Sequence, residues 1–213
     1  MRIVLLSDIH GNSIALDAVL ADTAKLGVDA YWVLGDLVAL GHDPVGVLER
    51  LVRLPNVRFI RGNTDRYVVT GDRPPPYKDE VGSDIEALTI FEEVSGTFAW
   101  TQGAVTAAGW FNWLKDLPLE LRIELPDGTQ FLGVHASPGR DDGSGISPDL
   151  FDDDLRQILK GCSADLICVG HTHLALNRKI DAWHVVNLGS VSNPRYPDLR
   201  ACYVILDCTS HGY

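Results

Sequence analysis

Five short apolar runs along this chain end in the same chemistry. RIVLLS leads to Asp8 and His10, AYWVL to Asp36, VRFI to Asn63, TQFLGV to His135, and the run closing at Val169 to His171 and His173. β-branched and large apolar residues dominate each run, as suits a buried, pleated strand. Between the first three lie segments with helical spacing of apolar residues: Ser13 to Leu26, with Ser13 as N-cap and Gly27 as stop, and Pro44 to Arg53, opened by its proline. Strand and helix alternate, so the chain is expected to form an α/β layered fold with a parallel portion. Open α/β sheets bind ligands at the carboxyl ends of their strands. The nitrogen and oxygen donors scattered from Asp8 to His173 are therefore expected to converge on one rim.

Each motif by itself is weak. DxH, GD and GN are ordinary turn sequences, and a lone histidine is more often a satisfied core or surface group than a ligand. Their recurrence at strand ends carries the argument. Imidazoles with carboxylates and one amide, and no cysteine beside any motif, suit a divalent ion such as Mn, Fe, Zn or Ni. Asp8, His10, Asp36, Asn63, His135, His171 and His173 are too many for one catalytic ion that keeps an open position. With one carboxylate shared, they fit two ions about 3.5 to 4 Å apart. The stretch CVGHTHL raises the same point locally: on a strand, imidazoles two positions apart face one way, but the glycine before them suggests that the chain is already turning.

After Asp65 the alternation breaks. Residues from about 67 to 117 read as a helical insertion, opening with the loop signal GDRPPPYKDE and continuing as two helices, Asp84 to Val94 and Thr97 to Lys115. Trp100, Trp110 and Trp113 in the second are helix-packing residues, or else part of a wall over the site or a homo-oligomer interface. LELRIEL and TQFLGVH flank the turn PDG and form a hairpin. A helix is expected from Pro148 to Lys160, with Ser147 as N-cap and Asp149, Asp152 and Asp153 in its first turns. LALNRKI, WHVVNL and ACYVILD supply three closing strands. Neither repeats nor linkers divide the sequence, so residues 1–213 are expected to form one domain.

Composition narrows the function classes. The chain has 213 residues, 46% of them hydrophobic, enough for one substantial core. Its formal net charge of -11 argues against a basic groove for nucleic acid, although bound metal ions can make one pocket locally positive. Cys162, Cys168, Cys202 and Cys208 form no CxxC pair and read as reduced core thiols of a cytosolic protein. The amino-terminal apolar run is too short for a secretory signal, and nothing approaches the length that spans a bilayer. A cytoplasmic location is expected.

DIH, GD, GN, GVH and GHTH, in that order over nearly the whole chain, resemble the calcineurin-like metallophosphoesterase superfamily. The opening MRIVLLSDIHGN and the ending VVNLGSVSNPRYPDLRACYVILD are similar to its small prokaryotic members, the YfcE-like phosphodiesterase group. The resemblance implies a four-layer αββα sandwich of two mixed sheets flanked by helices. It also implies two divalent ions, Mn first among them: Asp8, His10, Asp36 and His173 would hold one, and Asp36 would bridge to a second completed by Asn63, His135 and His171. The implied reaction is phosphoester hydrolysis by a hydroxide bridging the two ions, with no side-chain nucleophile. A phosphodiester is the favoured substrate; dinucleoside polyphosphates, phosphomonoesters and phosphoproteins are the alternatives.

One position departs from the family. Many members carry histidine directly after the asparagine, where Thr64 stands here; Asp65 is kept. Threonine can hydrogen-bond a phosphate oxygen but is no general acid near neutral pH. His42, in the loop GHDP, is a candidate to replace it, or else a solvent-facing turn residue. Asn12 either contacts phosphate or caps the first helix. Arg195 and Arg200 either reach a substrate phosphate, pair with Asp198, or face solvent. Asp141-Asp142-Gly-Ser-Gly looks faintly like a calcium loop but lacks the alternating carboxylates and the closing glutamate. A rival from another class is a non-catalytic scaffold on this fold, which would have no reason to keep every donor. GxSxG, P-loop, GxGxxG and HExxH motifs are all absent from the sequence.

Overall fold

The computed structural model describes residues 1–82, 84–195 and 199–213. Its first half runs β1 (Arg2–Leu6), α1 (Ser13–Thr23), β2 (Ala30–Leu34), α2 (Pro44–Leu51), β3 (Arg58–Ile60) and α3 (Asn63–Thr70). Three more helices follow, α4 (Lys78–Val81), α5 (Ile85–Ala107) and α6 (Phe111–Lys115). The second half is β4 (Glu120–Glu124), β5 (Gln130–Val134), α7 (Asp152–Leu159), β6 (Leu166–Val169), β7 (Leu176–Ile180), β8 (Trp183–Asn187) and β9 (Val204–Asp207).

The strands form two mixed sheets, ordered β3-β2-β1-β9 and β4-β5-β6-β8-β7. In the first, β1, β2 and β3 run parallel and β9 closes the edge antiparallel. In the second, β5, β6 and β8 are parallel, with β4 and β7 antiparallel at the edges. Period-two alternation decides the layers. On β1 and β2, Ile3, Leu5, Trp32 and Leu34 point into the space between the sheets and meet Phe131, Leu166 and Cys168 of the other sheet. Val4, Leu6, Tyr31 and Val33 point the opposite way, against Leu16 and Val19 of α1 and Val47, Leu48 and Leu51 of α2. The second sheet turns Leu132, Val134, Ile167 and Val169 outward onto Leu155 and Leu159 of α7. Helix, sheet, sheet and helix thus stack as the expected four-layer αββα sandwich.

Several boundaries differ from the sequence expectation. The cap of α1 is Asn12, whose side-chain oxygen accepts from the Ala15 amide, and Ser13 is the first helical residue. After Thr23 the chain continues only in tight turns to Gly27, whose φ of +65° suits glycine. Helix α7 starts at Asp152 instead of Pro148, because Arg178 takes the Pro148 and Leu150 carbonyls that a longer helix would use. Helix α3 is an additional helix ahead of the GDRPPPYKDE loop; Gly62 and Asp65 form its capping pair.

The two insertion helices expected at Asp84 to Val94 and Thr97 to Lys115 are rearranged. Helix α5 runs straight through Ser95-Gly96, and the break falls at Gly109, which has φ +81°. A mid-helix glycine costs about 1 kcal/mol, which the packing of Phe98, Thr101 and Val105 on α2 and α3 offsets. Trp113 packs edge-on against Phe59 and Trp110, as helix-packing residues do. Trp100 is 51% exposed. None of the four cysteines forms a disulfide, and no described helix is long and apolar enough to cross a membrane.

Candidate metal centre

The parallel strands of both sheets deliver their carboxyl ends to one rim, and hydrogen bonds between the following loops lock the two sheets there. Within the first sheet the Asp8 amide donates to the Gly35 carbonyl, within the second Gly170 donates to His135 and Leu188 to Val169, and between the sheets Val191 donates to Ser7 and Ser192 to Asp8. This lock demands unusual backbone. Asp8, His10, Asp36, His171 and His173 all have left-handed φ, between +49° and +68°. Such residues cost about 1 to 3 kcal/mol each and persist only where their surroundings over-determine them. The GHTH stretch therefore turns, as its glycine suggested, and its two imidazoles diverge to different neighbours.

Asp8, Asp36 and His135 are at most 2% exposed. Three histidines are oriented by backbone carbonyls, which can only accept, so the ring nitrogen facing each carbonyl carries the proton. His135 Nδ1 donates to Leu34 O at 2.7 Å, His173 Nδ1 to Asn193 O at 2.7 Å, and His171 Nε2 to Gly143 O at 2.8 Å. The other nitrogen of each ring is thereby aimed into the cluster. His173 Nε2 lies 3.1 Å from His10 Nε2 and 3.2 Å from Asp8 Oδ1. His135 Nε2 lies 3.4 Å from Asp36 Oδ2 and 3.9 Å from Asp8 Oδ1. His171 Nδ1 lies 2.9 Å from Asn63 Oδ1.

Two sets of donor atoms gather closely enough to share an ion: Asp8, His10 and His173, and Asp8, Asp36 and His135. Asn63 and His171 face each other beside the second set. All seven residues expected to converge do so. Asp8 Oδ1 and His135 Nε2 are buried without a hydrogen-bond partner among the described residues. Leaving such atoms unpaired costs about 1 to 3 kcal/mol each; a cation among them satisfies both. The residues present fit a divalent metal.

Without a cation, protons must balance the buried carboxylates. Burial opposes the charge of Asp36, yet the adjacent His135 holds its carboxyl well below the usual range. Burial likewise opposes protonation of His135, but Asp36 and Asp8 push its pKa up to about 10. His10 and His171 are lowered, chiefly by burial, whereas Asp8 raises His173 against the pull of burial. Asp65 is pushed up to about 7 by burial and by Asp36. Its carboxyl accepts from the Leu37 and Gly62 amides at 2.9 Å each, tying the loop of Asp36 to that of Asn63. Gly62 is required there, because a Cβ would collide with the Asp36 carboxylate.

Beside His10 opens a cleft of about 270 Å³ whose polar lining comprises Asn12, His42, Ser192 and Asn193. His42 Nε2 is 3.5 Å from Ser13 Oγ at its edge. Asn12 caps α1 with its oxygen and turns its amide nitrogen to Ser192 Oγ, 3.3 Å away. Among the described residues, none of α4, α5 or α6 lines this cleft. Thr64 is buried and its backbone amide donates to Asp36 Oδ1 at 2.9 Å, while its hydroxyl lacks a partner among the described residues. Arg195 and Arg200 are exposed, and Arg195 meets the site through its backbone, donating to His173 O at 3.4 Å. Asp198 lies outside the described residues. A larger apolar cavity, about 440 Å³, sits between the sheets around Cys168, Val186 and Leu206 and contains none of the seven donors.

Sequence reading missed Asn187, whose buried amide donates to Ile146 O, Gly170 O and Thr172 Oγ1 and so braces the GHTH turn. Its only signal was an amide ending an apolar strand.

The family model described as the calcineurin-like phosphoesterase superfamily domain matches residues 1–211. The chain belongs to the calcineurin-like phosphoesterase superfamily. It is 30% identical over 221 residues to the uncharacterized protein MJ0912 of Methanocaldococcus jannaschii, covering 96% of this chain and 82% of that one. Among solved structures it resembles a metallophosphoesterase from Sphaerobacter thermophilus, with TM-score 0.72, 25% identity, and 97% and 83% of the two chains covered. The E. coli phosphoesterase YfcE shares the calcineurin-like fold at TM-score 0.55 and 22% identity, over 97% of this chain and 88% of that one.

Proposed function

We propose that this protein is a two-metal-dependent phosphodiesterase. One ion is held by Asp8, His10, Asp36 and His173, and the other by Asp36, Asn63, His135 and His171. The single observation that carries the reading is the completeness of the donor set, six of its seven residues buried and three of its histidines aimed inward by backbone carbonyls. Asp8 belongs to both close groups and its Oδ1 also faces His10 and His135; the resemblance to the family is what favours Asp36 as the bridge. Its Oδ2 faces one imidazole from each half, His10 at 3.7 Å and His135 at 3.4 Å.

When bound, two divalent ions supply the positive charge that a phosphoryl group and its attacking water need, with Mn the first candidate and Fe, Zn or Ni alternatives. The chain's own residues do the rest. Asp65 holds the loops of Asp36 and Asn63 in register, and the unpartnered Thr64 hydroxyl is available to a phosphoryl oxygen. In the cleft beside His10, the neutral donors Asn12 and Ser192 receive the ester arm, and His42 protonates the departing oxygen in place of the histidine that Thr64 replaces. A scaffold role is disfavoured because a protein with no chemistry to perform gains nothing from five left-handed residues and orphaned buried donors.

Hydrolysis of an aryl phosphodiester and the matching monoester in the presence of Mn tests the reading. Diester turnover should exceed monoester turnover and disappear in Asp36→Ala. Preference for the monoester would refute the substrate class, and no turnover with any of several divalent ions would refute catalysis.

A further inference from the structure

The DDGSG segment, Asp141 to Gly145, has another part to play. It follows His135 by a tight turn in which the Ser137 and Arg140 backbones bond to each other. Asp141 is 5% exposed, and its carboxylate is gripped from two sides. Arg61 Nε donates to Oδ2 at 2.8 Å, and Arg66 Nε lies 3.1 Å from both oxygens. Arg66 Nη2 adds a bond to Asp142 at 2.7 Å. Arg61 and Arg66 flank Asn63 on the β3–α3 connection. Two residues beyond Asp141, the Gly143 carbonyl accepts the His171 Nε2 proton. Gly145 lies against the face of the same ring, where an added Cβ would stand 2.8 Å from His171 Cδ2.

Asn63, His135 and His171 come from three separate elements: the start of α3, the end of β5, and the turn after β6. The Asp141 carboxylate joins the first two, and the loop it anchors orients the third. Asp8, His10, Asp36 and His173 make no hydrogen bond or ion pair with Asp141, Arg61, Arg66 or the Gly143 carbonyl; they meet the second group only through its ligands, Asp8 at the His171 amide and, with Asp36, at His135. We infer that Asp141, clamped by Arg61 and Arg66, is a positioning residue for the second metal half-site alone, setting its ion affinity without touching the ion. This rests on the two-metal reading above.

A largely buried carboxylate with two guanidinium partners is expensive to break on one side only. Outer partners of metal ligands typically govern affinity by about 10- to 100-fold. Calorimetric titration of the metal-stripped protein with Mn reads this directly. The unmodified protein should bind two ions, and Asp141→Asn should weaken one of them at least 10-fold while leaving the other unchanged. The backgrounds assign the half-site. Added to His10→Ala, Asp141→Asn should weaken the ion that remains; added to His135→Ala, it should leave the remaining ion unaffected. Should Asp141→Asn not fold, Arg61→Gln removes one arm of the clamp and should give the same selective loss. Asp207→Asn, which breaks the exposed ion pair with Arg2, should change neither affinity.

Equal weakening of both ions, or of neither, in a protein that otherwise binds two would overturn the inference and leave the two-metal reading standing. Fewer than two ions on the unmodified protein would overturn both.

Discussion

The strand-end rim and the helices α4 to α6 are built on opposite terms. At the rim, charged and polar side chains are buried, five residues hold left-handed backbone, and the rings of His135, His171 and His173 are each held by a backbone carbonyl. Along α5 the apolar residues are the exposed ones: Ile85 is 78% exposed and Trp100 51%, and only Phe98, Thr101 and Val105 are buried. The rim spends stability on geometry, as functional sites do. The segment takes its place from a few anchors on α2 and α3 and leaves the cleft beside His10 untouched. Position in the chain therefore says little about role. The segment follows α3, which carries Asn63, yet none of its described residues lines the cleft beside His10.

The sharpest break in this comparison is in activity. Asn63→Ala should lower turnover of an aryl phosphoester by about 100-fold or more, whereas Trp100→Ala should leave it within about twofold. Comparable losses in steady-state assays would mean that the segment takes part in the chemistry. Stability should divide the other way. Phe98→Ala empties a fully buried site and should cost about 3 to 5 kcal/mol in denaturant unfolding, with the surviving folded protein keeping its Mn affinity. A matching loss of Mn affinity would couple the two regions.

Metal removal is expected to act only on the rim. At Mn one hundred times its dissociation constant, each bound ion should add about 2.7 kcal/mol to stability. Chelator should reverse it, and hydrogen exchange should accelerate around Asp8, His135 and His171 but not along α5. Exchange that quickens equally in both places would erase the distinction.

The smallest effect lies outside both regions and serves as a baseline. Tyr203 donates to Asp22 at 2.6 Å, and that bond pushes its pKa up to about 12. Its contribution is complete below the unfolded value near 10 and is lost as pH rises through about 12. Tyr203→Phe should thus lose less than about 0.5 kcal/mol at neutral pH and flatten the alkaline decline in melting temperature. An unchanged alkaline slope would remove Tyr203 from the account.

Much of the site was legible because its grammar is local. An apolar run followed by Asp, Asn or His marks a strand end, and parallel strands bring such ends together whatever lies between them. The same locality explains the misreadings. Ser13 and Asn12 are both good caps, and only the path of the preceding loop chose Asn12. Gly96 looked like a break, and only Phe98 and Val105, buried against distant helices, carried the helix through it. Asp141 read as a failed calcium loop because its partners, Arg61 and Arg66, lie far back in the sequence.

The sequence by itself determined the alternation of strands and helices, the layered class and the identity of the donors, because period-two burial and residue chemistry act over a few neighbours. Only the tertiary structure decided which nitrogen of His135, His171 and His173 faces the centre, how Asp36 comes to lie between His10 and His135, and what ties the loops of Asn63, His135 and His171 together. Those depend on carbonyls and guanidinium groups supplied from remote parts of the chain, and no local pattern encodes where such groups will meet.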